Sequence, residues 1–159
     1  PGLDLRSYDQ LLIDEVQVVP GPGSQIGRLA PDLKQRAADT FHAIMVETVE
    51  PYYDLVDEPG EHVLRVRLAL TDLVPEGENL DGAPTESVGA AALEGELVDG
   101  LTGERLLAFV DRVEGSTRGE EAVEAKWRPA EGALREWADA LLDFLDHWEE
   151  RLAAGQVGR

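Results

Sequence analysis

The chain has 159 residues, of which 43% are hydrophobic and 30% charged, a composition that fits one globular domain spanning 1–159 with a sizeable core. Its 33 Asp and Glu against 14 Lys and Arg give a formal net charge of -19, which repels phosphate backbones and excludes nucleic acid as a partner. The absence of Cys removes disulfides, thiol nucleophiles and thiolate metal sites, and no apolar run approaches the roughly 18 residues that a membrane-spanning helix needs.

The first predicted element is a strand over Leu11 to Val19, rich in β-branched residues and closed by "PGPGS", whose prolines and glycines cannot continue it. In "APDLKQRAADTFHAIMVETVEP", Leu33, Ala37, Phe41, Ile44, Met45 and Thr48 recur at helical spacing. Pro31 suits the first turn of that helix and Pro51 lies beyond its end. His42 borders the apolar stripe and reads as a partly buried helix residue, not a ligand.

A short extended piece at Tyr53 to Val56 and a turn at Glu58 to Glu61 precede the clearest strand of the chain. There Leu64, Val66, Leu68 and Leu70 alternate with Val63, Arg65, Arg67 and Ala69, so one face is apolar and the other carries guanidiniums. A sheet containing this strand is expected to be covered on one side only. Thr71 to Gly89, dense in Gly, Pro, Asn and Ser, is expected to form a long loop. The run "AALEGELVDGLTGERLLAFVDRVEG" predicts a β-hairpin about "DGLTG", with Gly103 able to take the positive φ of the turn. Leu93 and Leu97 then face one side, while Glu94 and Glu96 face the other, opposite Arg65 and Arg67 if the strands are neighbours. A second loop, "EGSTRGEEAVEAKWRPAEG", leads to a final helix. Leu134, Trp137, Ala138, Leu141, Leu145, Trp148 and Leu152 form its broad stripe, with Phe144 at the margin and Gly155 placed as the stop.

Little here nominates chemistry. Ser7, Ser24, Ser87 and Ser116 sit in no nucleophile elbow, no glycine pattern matches a phosphate loop, and no cofactor motif occurs. The three His, at 42, 62 and 147, are far apart in sequence. Asp143, His147 and Glu150 share a helical face at metal-ligand spacing, within a longer acidic arc. Asp54, Asp57, Glu58 and Glu61 surround a Pro-Gly turn and offer oxygens for weak Ca²⁺ binding, although the run lacks the ligand alternation of an EF-hand. Two functional readings follow. One is a protein-interaction face built from Arg65, Arg67, Glu94 and Glu96. The other is an acidic cation- or small-ligand-binding protein using Asp54 to Glu61.

Taken in order, "LDLRSYDQLLIDEVQV", "FHAIMVETV", "YDLVDEPGEHVLRVRLALTDL", "LEGELVDGLTGERLLAFVDR" and "KWRPAEGALREWADALLDFLD" resemble domain-of-unknown-function family 3313, a family of bacterial lipoproteins. "VDEPG", "LRVRLALTDL" and the hairpin through Thr102, Gly103 and Glu104 are the most specific parts. The chain departs from the family at Thr71 to Gly89, where a longer stretch of small apolar residues is expected. The resemblance implies a signal peptide and a lipid-bearing Cys upstream of Pro1, and hence a domain on the periplasmic side of the bacterial cell envelope held by an N-terminal lipid anchor. It supplies no catalytic residue. The interaction reading takes another envelope protein, or self-association, as partner, through the open sheet face or the Thr71 to Gly89 loop.

The order of elements predicts an α+β two-layer sandwich, with a mixed sheet of four to five strands and two helices on one face.

Overall fold

The computed structural model of the protein describes residues 4–75, 88–114 and 128–153. Its elements run β1 (Gln10–Ile13), β2 (Gln17–Val18), a 3₁₀ turn (Ile26–Arg28), α1 (Pro31–Val49), β3 (Asp54–Leu55), β4 (Val63–Pro75), β5 (Val88–Asp99), β6 (Arg105–Glu114) and α2 (Arg128–Ala153). The architecture is the predicted α+β one: a mixed open sheet and two helices.

The sheet has six strands, in the order β3-β1-β4-β5-β6, with β2 following β1 along the same side of β4. β1 runs parallel to both β3 and β4, as a β-α-β crossover through α1 requires, while β4, β5 and β6 are antiparallel. The sixth strand exceeds the expected count because the predicted strand Leu11 to Val19 is broken in two. Ile13 pairs with Val66 and Gln17 with Ala69, so four steps on one side match three on the other. That extra residue is a bulge, and it centres on Asp14 to Val16.

One core binds the two layers. Leu64, Val66, Leu68 and Leu70 of β4 and Leu93 and Leu97 of β5 point inward, as their alternation requires. They meet Leu33, Ala37, Phe41, Ile44 and Met45 from α1, and Leu134, Trp137, Ala138, Leu141 and Leu145 from α2. Thr48 leaves the stripe of α1: its hydroxyl donates to the Ile44 carbonyl at 2.8 Å, and Val49 is the buried residue instead. Phe41 and Trp137 meet where the helices touch, with ring centroids 5.8 Å apart and tilted by 49°. Trp137 also reaches the sheet, donating from Nε1 to Asp111 of β6 at 3.0 Å. Phe144 and Trp148 flank the core half-buried.

Two predicted boundaries move. Thr71 to Gly89 is not loop at its ends: β4 continues to Pro75 and β5 begins at Val88, with the register shifting between Leu70 and Asp72. Residues 76–87, including Ser87, lie outside the described residues. The last helix starts at Arg128, inside the stretch read as a second loop, of which 115–127, with Ser116, lie outside them. Gly155 and the side chain of Leu152 fall outside as well. The β5–β6 hairpin forms as predicted, with Gly103 at φ 74° donating its N–H to the Asp99 carbonyl at 2.9 Å.

Candidate functional site: the outer face of the sheet

Both helices cover the inner face, and the outer face of β4, β5 and β6 carries the side chains of opposite parity. Register places Arg67 opposite Glu96, Ala69 opposite Glu94, and Glu94 in turn opposite Val110. Arg67 donates from Nη1 to Glu96 Oε1 at 3.0 Å, the cross-strand pair expected from alternation. Arg65 has no such partner, because Val98 stands opposite it. It turns toward β1 instead, where Nε and Nη2 each reach the Asp14 carboxylate at 2.8 Å. Arg67 Nε lies 3.4 Å from the same carboxylate, and Arg105 Nη1 lies 3.9 Å from Glu96 Oε2. Four of the five groups are half-buried, and the shared Asp14 and Glu96 carboxylates join them into one network running from the β1–β2 bulge across β4, β5 and β6. Glu94 is exposed and stands outside it.

Asp14 and Arg105 are the members that sequence reasoning missed, and for Asp14 the bulge explains its position. Its N–H donates to the Val66 carbonyl, and its own carbonyl accepts from His42 Nδ1 of α1 at 3.2 Å. His42 therefore holds the backbone of the bulge, consistent with its reading as a partly buried helix residue. An Asp inside the β-branched run "LLIDEVQV" was the available signal, since a charge breaks the apolar pattern of a strand at this point.

Beside the network lies an open concavity of about 520 Å³, whose lining includes Gln17, Val19, Arg67, Glu94, Arg105 and Val110. Val19 and Val110 are 53% and 60% exposed, two of the few large apolar side chains open to solvent among the described residues. Further along the same face, Asp72 is buried and accepts from Ser24 Oγ, the Gln25 N–H and Arg112. Burial pushes its pKa up, but these three donors outweigh that and hold it below the usual carboxylate range.

The predicted metal ligands do not gather. Asp54, Asp57, Glu58 and Glu61 are all exposed, and among the described residues no three of His, Asp and Glu come together to hold a metal ion. Asp143 and His147 do meet, but His147 Nδ1 is turned onto the Asp143 carbonyl at 3.1 Å and its carboxylate at 3.3 Å. His147 also departs from helical dihedrals, with φ -126° and ψ 26°, so this local contact accompanies a kink in α2.

A mixed sheet backed by two helices, with an ion-paired outer face, defines a two-layer α+β domain. The chain belongs to the family described as protein of unknown function DUF3313, which matches residues 1–141. Solved structures of similar fold include the dodecamer of a PelC point variant from Paraburkholderia phytofirmans, 14% identical over 91% of this chain and 93% of that one, with a TM-score of 0.52. A DUF330 protein from Xanthomonas campestris is 15% identical over 96% of this chain and 92% of its own, with a TM-score of 0.54. A minor lipoprotein from Acinetobacter baumannii is 10% identical over 95% and 97% of the two chains, at 0.45. No curated protein matches. Among the described residues no helix is long and apolar enough to cross a membrane.

Proposed function

We propose that the domain is a non-enzymatic protein-interaction or assembly module of the bacterial cell envelope, docking through the outer face of its sheet. The observation that carries this reading is the face itself: Arg67, Glu94 and Glu96 line one concavity with exposed Val19 and Val110, Arg65 is linked to them through Asp14, and neither helix packs over them. Fixed ion pairs flanked by open apolar side chains suit a protein partner, because the paired charges set orientation while the apolar groups gain from burial.

The resemblance to lipoproteins supports a position on the periplasmic side, tethered by a lipid upstream of the domain. A net charge of -19 suits a domain held off anionic headgroups by such a tether. PelC of Paraburkholderia phytofirmans, which shares the fold, is a dodecamer, and this supports self-association as one form of the docking.

Crosslinking of the full-length, lipid-bearing protein in the native envelope, read by mass spectrometry, tests the reading. A specific crosslink present in the wild type and lost in a Val19→Glu, Arg67→Ala double variant is the expected result. Identical crosslinks in both proteins, or none in either, would remove this face as the docking surface.

A further inference from the structure

β6 forms one edge of the sheet, and it is long: Arg105–Glu114, ten residues, paired with β5 on one side and with no described strand on the other. A strand of this length leaves a row of N–H and C=O groups able to take a further strand. The opposite edge, β3, has only two residues, Asp54–Leu55, and offers almost no ladder.

We infer that β6 pairs antiparallel with β6 of a second copy of this chain, extending the sheet across a two-fold axis near Phe109 and Val110. The inference rests on the assembly reading above and names the partner. Three observations select a second copy. The first is the asymmetry of the edges: head-to-tail pairing of β6 with β3 would match ten residues with two, whereas β6 against itself matches nearly its full length and closes as a dimer.

The second is charge. The chain as a whole repels its copies at -19, but the sequence of β6 itself is balanced, with Arg105 and Arg112 against Asp111 and Glu114. Approach along this edge therefore meets less repulsion than the chain's net charge implies. The third is register. Sheet continuity keeps inner residues opposite inner ones, so the axis falls on a residue. An axis at Phe109 or Val110 gives the longest overlap and sets Arg112 opposite Leu106 or Ala108, with no like charges facing within β6. An axis at Asp111 would set two carboxylates together, and one at Arg112 two guanidiniums. Asp111, the one inward-pointing charge of the strand, is already occupied by Trp137 Nε1 and does not bar the edge. Val110, 60% exposed, is then covered by the added strand.

The Cys-free chain makes the test direct. Single-cysteine variants Ala108→Cys and Val110→Cys, alone and mixed, would be oxidised at concentrations where sedimentation shows the dimer, with Tyr52→Cys and Leu101→Cys as exposed controls away from the edge. Rapid disulfide formation at 108 or 110 and little at the controls is expected. Val110→Lys, at an exposed site that leaves the fold intact by circular dichroism, should weaken dimerisation on the order of tenfold. The dimer should also tighten with salt as the repulsion is screened. A monomer at all accessible concentrations and salt levels overturns the inference. A dimer that crosslinks at the controls and not on β6 overturns the edge pairing while leaving an assembly module standing, and a failed envelope crosslink at the outer face counts against the broader reading alone.

Discussion

Arg112 of β6 reaches over β5 to Asp72 of β4, Nη1 to Oδ2 at 3.2 Å, with Ala92 lying between them and in register with both. The two strands are not neighbours, so the pair depends on a small residue at 92. Asp72 is buried while its side-chain partner Arg112 is half exposed, and its other oxygen fixes Ser24 and the Gln25 N–H. One carboxylate thus ties the segment after β2 to the far side of the sheet.

Asp72→Ala is expected to destabilise the fold by about 2–3 kcal/mol, because a buried acceptor of charged hydrogen bonds is removed and the Gln25 N–H loses its partner. Arg112→Ala, which leaves Ser24 and Gln25 in place, should cost about 0.5–1 kcal/mol. Urea denaturation of both variants would show the ranking. Equal losses would mean that the arginine, and not the loop, is what Asp72 chiefly secures.

A second carboxylate links pH to stability. Tyr8 donates to Asp99 at 2.6 Å, and this bond, with those from Thr102 and Leu101, lowers the Asp99 pKa to about 2. Burial, and then the same bond, push Tyr8 up to about 12, and burial near Asp146 raises Tyr53 to about 12. A depressed carboxylate contributes stability that is full above its unfolded value near 4 and lost as pH falls through about 2. A raised tyrosine contributes below its unfolded value near 10, and that share is lost as pH rises toward 12. Melting temperature should therefore fall in both windows, with Asp72 adding to the acid one. Tyr8→Phe should soften both falls, since it removes one titrating group and the largest cause of the Asp99 shift. A variant with the wild-type acid profile would refute the coupling.

The parts of this fold legible in sequence are those where one period persists. Arg65 and Arg67 alternating with Leu64, Val66 and Leu68 marked both the strand and its two faces, and the stripes of α1 and α2 did the same for the helices. The continuation of β4 through Thr71 to Pro75 was hidden for a physical reason. The bulge after Leu70 shifts parity, so Asp72 faces outward and Leu73 inward, and no single alternation spans the strand. The candidate site was half legible. Arg67 and Glu96 follow from the alternation of two strands once these are neighbours, but the partner of Arg65 is Asp14, 51 residues away, and it arrives only because β1 inserts beside β4. Spacing along a chain does not report such an insertion.

Gly95 and Phe109 stand opposite each other on β5 and β6, and the Phe109 ring occupies the space that a Cβ at 95 would need. Gly95→Ala should displace the ring and cost about 1–3 kcal/mol, an overpacking penalty. Adding Phe109→Ala should recover part of that loss, so the double variant is less destabilised than the sum of the singles. Strict additivity in a denaturant series would show that the ring does not seal the glycine.

The acidic run at Asp54, Asp57, Glu58 and Glu61 gives a last expectation, on cations. Its carboxylates are exposed and do not converge on one point, while the chain carries -19 overall. Under those conditions divalent ions act by screening self-repulsion, which any salt of equal ionic strength also does, and not by selective binding to the native state. Millimolar CaCl₂ and NaCl matched in ionic strength should raise the melting temperature alike, and EDTA should leave it unchanged at fixed ionic strength. A ligand selective for the folded state would instead stabilise it in proportion to its occupancy. A rise seen with Ca²⁺ alone, and abolished by Asp57→Asn with Glu58→Gln, would therefore establish a calcium site at this turn and restore ligand binding as a function of the domain.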